Sequence, residues 1–148
     1  MSDNKNIKEI VVPVDGSENA LRAARFAVQL AGALDAGLRF LYVFPAASVE
    51  LVGMAGMSRQ DIEHAASTSG QRVFDLLRTG VGSEMPAKVE FQTVFGDPAE
   101  EIITLTEKAE GLLVVIGRRG LSRMKTLLLG SVSDKVMRHA SCPVTIIT

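Results

Sequence analysis

Residues 112–135 read LLVVIGRRGLSRMKTLLLGSVSDK and place a glycine-rich, cationic stretch directly behind a short apolar run. Residues 112–116 are continuously apolar, which is typical of a central parallel strand covered on both faces. Behind the stretch, Ser131 with Asp134 three residues on predicts a capped helix that runs to about His139. The region is therefore predicted to form a strand, a glycine-rich turn and a helix.

Outward from this stretch, strand and helix patterns alternate along the chain. Apolar runs predict strands at 7–14, 38–44, 88–95, 112–116 and 143–148. Helices are predicted to begin at Ser17, at Ser58 with Asp61, at Asp97 with Pro98, and at Ser131. The order βαβαβαβαβ predicts a single α/β domain over 1–148, with a parallel sheet, right-handed crossovers and helices on both faces.

One segment breaks the pattern. Residues 45–56, PAASVELVGMAG, are predicted to form a loop of small residues between the second strand and the helix at Ser58. Because the segment follows a strand at the edge where such sheets bind ligands, residues 44–57 are also predicted to act as a mobile cover over the site.

The composition narrows the class of protein. With 148 residues, 47% of them hydrophobic, the chain is sufficient for one compact domain. A net charge of -1 gives no argument for a nucleic-acid or membrane partner. The polar N-terminus lacks the apolar region of a signal peptide, so a cytoplasmic location is expected. Cys142, the single cysteine, is interpreted as a small buried residue without a redox role.

Two turns lie where open parallel sheets bind ligands, at the carboxyl ends of strands. They are residues 15–17, DGS, after the first strand, and the stretch from Gly117 onward after the fourth. Gly117 and Gly120 permit positive φ and close approach of a ligand to the backbone. The predicted helix N-terminus at Ser131 favours phosphate. The local positive potential is raised by Arg118, Arg119, Arg123 and Lys125.

Each of these features also has a purely structural explanation. Glycines are common in turns, serines cap helices, and cationic loop residues are usually solvated. The chain contains no GxxxxGK[ST] sequence, and its first strand is followed by DGSENA rather than GxGxxG. P-loop hydrolysis and dinucleotide binding are therefore not favoured.

The spacing G-x2-G-x9-G-S from Gly117 to Ser131, the DGS turn and the RHASCPV tail at 138–144 resemble the universal stress protein family in family order. The resemblance extends along essentially the whole chain. It implies a five-stranded parallel sheet in the order 3-2-1-4-5. It further implies ATP or a related adenine nucleotide at the carboxyl ends of strands 1 and 4, because the glycine spacing is that of the nucleotide-binding branch.

The resemblance also implies roles for individual residues. Asp15 would lie near the ribose and phosphates or their Mg²⁺, although it could equally cap a helix or hold the Gly16 turn. Val43 would contact adenine. The cofactor-binding residues implied in this way are Pro13, Asp15, Val43, Gly117, Arg118, Arg119, Gly120, Gly130, Ser131 and Val132. Two positions differ from the common family pattern, since Tyr42 replaces a frequent His and Arg118 a frequent small residue.

No catalytic residue is predicted. His64 and His139 do not have the spacing of metal ligands, and no GxSxG nucleophile sequence occurs. The predicted function is an ATP-binding stress-response or regulatory protein whose nucleotide occupancy modulates conformation or partner interaction. A slow ATPase or self-phosphorylating enzyme and a nucleotide-independent dimeric scaffold remain alternatives. The short apolar strand at 143–148 predicts a homodimer formed through this edge.

Overall fold

The computed structural model describes residues 6–121 and 128–148. In these ranges strands and helices alternate, with one extra helix after the second strand and a short 3₁₀ turn at Gly82–Glu84. The strands are β1 (Glu9–Pro13), β2 (Gly37–Pro45), β3 (Glu90–Gly96), β4 (Leu112–Gly117) and β5 (Val144–Ile147). The helices are α1 (Glu18–Leu34), α2 (Ala46–Met54), α3 (Arg59–Val81), α4 (Pro98–Lys108) and α5 (Ser131–His139).

The strands form one sheet in the order β3-β2-β1-β4-β5, and every neighbouring pair is parallel. Ile10 of β1 lies opposite Leu38 of β2 on one side and Leu113 of β4 on the other. The predicted five-stranded α/β fold and its strand order are therefore confirmed. Strand order reverses between β1 and β4, which is where ligands bind in sheets of this kind.

Burial explains why β1 and β4 are central. Ile10, Val11 and Val12 are completely buried, and every residue of β4 is buried. Edge strand β3 instead alternates exposed and partly buried residues in its first half, as its sequence predicts. A continuous apolar run therefore occupies the interior of the sheet, and the alternating run occupies its edge.

The two faces of the sheet carry separate apolar layers. Ile10 and Val12 pack with α1 and α3, whereas Val11 packs with Ile102 of α4 and Val136 of α5. Helix α1 contributes a stripe of buried alanines, which lets its backbone approach the sheet closely: Ala20, Ala23, Ala24, Ala27 and Ala31. Among the described residues, no helix is long and apolar enough to cross a membrane.

The predicted helix starts are confirmed for three helices. The Ser17 hydroxyl accepts the Ala20 N–H at the start of α1, and Asp97 accepts the Glu100 N–H at the start of α4. Ser58 and Asp61 form a reciprocal capping box at the start of α3.

Two predictions about local structure are wrong. Ser131 does not cap α5, because the extended residue before the helix is Gly130 and Ser131 is already helical. Residues 46–54 form helix α2 instead of a loop. This helix has no side-chain cap at Pro45 and exposes Leu51 and Met54, so neither a start signal nor an apolar stripe reveals it. The idea of a cover over the site stays a prediction and now concerns a helix.

The capping box of α3 should make stability depend on pH. Hydrogen bonds from the Ser58 hydroxyl and N–H hold the pKa of Asp61 below its ordinary value of 3.8. A pKa that is lower in the folded state adds stability above the unfolded pKa, and this stability is lost as pH falls through the folded pKa. We therefore expect Ser58→Ala to lower the free energy of unfolding near neutral pH. At acidic pH the free energies of unfolding of the variant and the wild type should differ less.

Urea unfolding of both proteins across a pH series measures this effect. Ser17→Ala is the matched control, because its cap at α1 has no carboxylate three residues on and its effect should be the same at every pH. An equal difference between Ser58→Ala and the wild type at all pH values would contradict the prediction.

Candidate functional site

A cavity of about 220 Å³ lies at the carboxyl ends of β1, β2 and β4. It is many times larger than the ~10–15 Å³ that a cavity needs to hold one water molecule. The N-termini of α4 and α5 close it from the side of the sheet that these helices cover. The cavity thus lies at the point where strand order reverses, and it can accept a small molecule.

The structure brings almost all of the sequence-predicted site residues to this cavity. Those that line it are Pro13, Asp15, Val43, Gly117, Arg119, Gly120, Gly130, Ser131 and Val132. Arg118 is not a lining residue. Its contribution is made by the main chain, which donates to the carbonyl of Ile147 and accepts from the Gly130 N–H. The cationic residues Arg123 and Lys125 lie outside the described residues.

Sequence reasoning missed several lining residues on other elements. Leu41 and Val43 lie two residues apart on β2 and therefore on one face of the sheet, a signal that was present in the sequence. No local signal points to Pro98 and Ile102, because the packing of α4 against the sheet brings them to the cavity. The other missed lining residues are Val14, Ser17, Ala20, Ile116, Leu121 and Ser133.

The cavity has an apolar half and a polar half. Leu41, Val43, Ile102 and Ile116 are buried members of the apolar layer beneath α4 and α5. The opposite wall consists of Asp15, the turn after β4 and the first turn of α5. Such a division suits a ligand with a flat apolar part joined to a polar or charged part.

Crowding explains two of the glycines in the turn. A Cβ on Gly117 would lie 2.8 Å from the carbonyl carbon and oxygen of Asn19, and a Cβ on Gly120 would overlap the Asp15 carboxylate. Neither glycine is among those with positive φ. The prediction that they serve to permit positive φ is therefore wrong, and close packing against the β1–α1 turn is the reason for glycine.

Gly130 is different. Its φ of -70° and ψ of 162° are available to any residue. A Cβ there would meet the Arg118 oxygen and the Arg119 Cα at 3.4 Å, which is an ordinary contact distance. In the described part of the chain, neither backbone conformation nor packing requires glycine at this position, although it lies on the cavity wall.

The first turn of α5 presents hydrogen-bond donors to the cavity. Within residues 6–121 and 128–148, no side chain caps this helix or α2, whereas Ser17, Ser58 and Asp97 cap α1, α3 and α4. The N–H groups of a first helical turn have no acceptor within the helix and carry its positive dipole end. Arg119 adds a buried Nε that has no acceptor among the described residues. An anion would satisfy these groups.

Asp15 ties the two predicted turns together. Its Oδ1 accepts the Ser17 N–H at 2.9 Å, and its Oδ2 accepts the Leu121 N–H at 3.2 Å. The carboxylate thus holds the turn after β1, one of the alternatives for this residue, while Ser17 caps α1. Ligand contact by Asp15 stays a prediction. Within residues 6–121 and 128–148, no three His, Cys, Asp or Glu side chains form a cluster that could hold a metal ion.

Comparison with known proteins agrees with this geometry. The model of the universal stress protein family matches residues 6–148. The chain belongs to this family. Universal stress protein MJ0531 of Methanocaldococcus jannaschii is 33% identical over 141 residues, which cover 95% of this chain and 81% of the relative.

Solved structures of similar proteins support the fold. Hypothetical protein MJ0577 has a TM-score of 0.75 at 22% identity and 96% coverage of both chains, so its likeness concerns the fold. A universal stress protein solved in complex with cAMP is 26% identical, with a TM-score of 0.63, and covers 96% of this chain and 97% of its own.

Tyr42, one of the departures from the usual universal stress protein pattern, lies away from the cavity. It packs against the apolar layer beneath α1 and α3, on the opposite face of the sheet from Val43. Burial is the main cause that raises the pKa of its hydroxyl. The side chain at this position therefore does not line the cavity.

The two kinds of glycine give a stability prediction. Gly117→Ala should lower the free energy of unfolding by about 1–3 kcal/mol, because the new Cβ collides with the Asn19 backbone. Gly130→Ala should lower it by less than about 1 kcal/mol, since only the preference for glycine over alanine before a helix is lost. Urea unfolding of both variants measures the difference. Equal losses would contradict the finding that packing requires glycine at position 117 but not at position 130.

Proposed function

We propose that this protein binds an adenine nucleotide, with ATP as the main ligand, and that nucleotide occupancy regulates its conformation or its choice of partner in a stress response. The first turn of α5 is the observation that carries the proposal. Its N–H groups have no side-chain cap among the described residues, and they border the cavity. Gly130 also borders the cavity, although neither its backbone conformation nor its packing requires glycine. The family member solved with cAMP supports an adenine nucleotide as the ligand class.

The two halves of the cavity match the two ends of a nucleotide. The adenine ring would occupy the apolar half between β2 and α4, bordered by Val43 and Ile102. The ribose would lie near Asp15 and Gly117. The phosphates would accept hydrogen bonds from the first turn of α5, and Arg119 would supply a nearby positive charge.

Magnesium fits this site only in company with the phosphates. Asp15 is the single carboxylate among the described lining residues, and each of its oxygens already accepts a backbone N–H. Mg²⁺ needs several oxygen ligands and is commonly held by one or two carboxylates together with substrate phosphates. Asp15 would therefore supply one ligand at most. Bound Mg²⁺ would neutralise phosphate charge.

Binding is favoured over hydrolysis by the residues of the cavity. Phosphoryl transfer needs a group that orients the attacking water or accepts its proton. The described lining residues include no His, Glu or Lys, and Asp15 is held by two backbone N–H groups. Slow ATP hydrolysis or self-phosphorylation on a serine or threonine is the alternative, and single-turnover assays for ADP or phosphoprotein distinguish it. The cytoplasmic location stays a prediction.

Calorimetric titration with ATP tests the proposal. Gly130→Val should abolish binding, because it adds a bulky side chain at a residue that lines the cavity beside the donors of α5, while the protein still folds, as a thermal melt verifies. Ser131→Ala should weaken binding by roughly 1.5–3 kcal/mol if its hydroxyl contacts a charged phosphate. Since Ser131 is not the cap of α5, the melting temperature of the Ser131→Ala variant should match that of the wild type.

The control is Ser83→Ala, which removes an exposed hydroxyl in the 3₁₀ turn and should leave ATP affinity unchanged. A folded Gly130→Val protein that binds ATP as tightly as the wild type would defeat the proposal. If the wild type shows no ATP binding and releases no adenine absorbance when denatured after purification without nucleotide, the dimeric scaffold becomes the better description.

A homodimer through β5 is the second part of the proposal. This strand lies at the end of the sheet order, pairs with β4 on one side, and all four of its residues are only partly buried. The other side of such a strand leaves backbone groups for a symmetry-related copy to pair with.

Ile146→Lys should convert the dimer to a monomer, because a charge on this strand opposes pairing of two identical edges. Gel filtration with light scattering at micromolar concentration measures the mass, and a thermal melt verifies folding. Leu34→Lys is the control, since Leu34 is exposed at the end of α1 and its replacement should leave the dimer intact. A monomeric wild type or an unchanged mass for Ile146→Lys would contradict the dimer.

A further inference from the structure

We infer that Ser133 is a positioning residue that fixes the first turn of α5 in the orientation needed to bind phosphate, acting through the carbonyl of Arg118. The inference rests on the proposed function. It assigns a role to a residue that the glycine spacing does not include.

The hydroxyl of Ser133 has a defined partner. Its side chain is buried, at 3% exposure, and its Oγ lies 2.7 Å from the Arg118 oxygen and 3.1 Å from the Gly130 oxygen. A hydroxyl has a single proton to donate. The shorter distance assigns that proton to Arg118, at the beginning of the turn after β4.

The backbone of Arg118 joins three parts of the site. Its carbonyl accepts both the Ser133 hydroxyl and the Gly130 N–H, the latter at 2.8 Å. Its own N–H donates to the Ile147 carbonyl of β5 at 2.7 Å. The start of α5 is thereby tied to the end of β4 and, through the backbone of the same residue, to the edge strand.

Ser133 does this without covering the donors of the helix. It is the third residue of α5, and the equivalent residue of α3 is Asp61, whose carboxylate accepts the Ser58 N–H and closes a capping box. The Ser133 hydroxyl instead donates away from the helix, to the turn. This hydrogen bond holds α5 in place, and because it points away from the helix it leaves the N–H groups of the first turn available to a ligand.

Without this hydroxyl, the Arg118 carbonyl keeps one donor, Gly130, and α5 can shift relative to the turn. Hydrogen bonds weaken steeply as their geometry departs from linear. The loss should therefore affect the phosphate end of a nucleotide and spare the end in the apolar half, which is formed by β2, β4 and α4. A nucleoside without phosphates should not sense the change.

Affinities for ATP and adenosine in wild type and Ser133→Ala test the inference. We expect Ser133→Ala to bind ATP about 2- to 10-fold more weakly, the effect of one neutral hydrogen bond, and to bind adenosine as the wild type does. Ser133→Thr restores the hydroxyl and should restore ATP affinity. If Ser133→Ala does not fold, Ser133→Cys serves in its place, because it keeps the side-chain size and supplies only a weak donor.

Thr106→Val is the matched control. Thr106 is also buried at 3% exposure, its hydroxyl donates to the Ile103 carbonyl and accepts the Ser141 N–H, and it does not line the cavity. Its replacement should lower the melting temperature without changing the ratio of ATP to adenosine affinity. A purely structural role of Ser133 would give the same result as this control.

The outcomes separate the inference from the proposed function. Unchanged ATP affinity in Ser133→Ala, or equal weakening for ATP and adenosine, overturns the positioning role while wild-type ATP binding still supports the proposed function. A wild type that binds no ATP overturns both. Selective loss for ATP with recovery in Ser133→Thr supports the role assigned to Ser133.

Discussion

The parallel pairing of β1 with β4 is the constraint on which the rest of the molecule depends. From β1 the chain crosses to β2 on one side of the sheet, and the strand that later fills the other side is β4. The turns after β1 and β4 therefore run in opposite directions and leave a crevice between them. Complete burial of Ile10, Val11 and Val12 fixes this pairing at the centre of the sheet. The place of the cavity follows from strand order before any particular side chain is considered.

Hydrogen bonds to the backbone hold the walls of the crevice. The Asp15 carboxylate bridges from the turn after β1 to the N–H of Leu121, and the Arg118 carbonyl gathers Gly130 and Ser133 at the start of α5. The Asp15 contact connects segments 106 residues apart in the sequence, and the Arg118–Ser133 contact connects segments 15 residues apart. The two glycines differ, since packing against the Asp15 carboxylate requires glycine at 120, whereas a Cβ at 130 would make contacts at 3.4 Å.

The sequence predicts those parts of the molecule that local chemistry determines. Apolar runs locate the strands, and Ser17, Ser58 and Asp97 mark helix starts because each cap forms within a few residues. The features that the sequence does not predict depend on tertiary packing. Ile102 reaches the cavity because α4 crosses the sheet, and α2 forms although its apolar residues follow no helical stripe. The motif spacing identifies Ser131, but the structure is needed to see that it is helical rather than a cap.

Among the described residues, α5 and α2 have no side-chain cap, whereas α1, α3 and α4 have one. At α5 this departure from the capping rule lies beside the cavity, and such departures are expected at functional sites. With glycine at the N-cap, the lack of a side-chain cap costs a helix only on the order of a few tenths of a kcal/mol. Ligand binding to the folded state offsets this cost, since a ligand at 100 times its dissociation constant stabilises by about 2.7 kcal/mol. Under the proposed function, this stabilisation acts on a helix that the backbone of Arg118 ties to β5. A nucleotide at α5 and a partner at the β5 edge would thus act on one connected set of hydrogen bonds, and any coupling between the two binding events must be reciprocal.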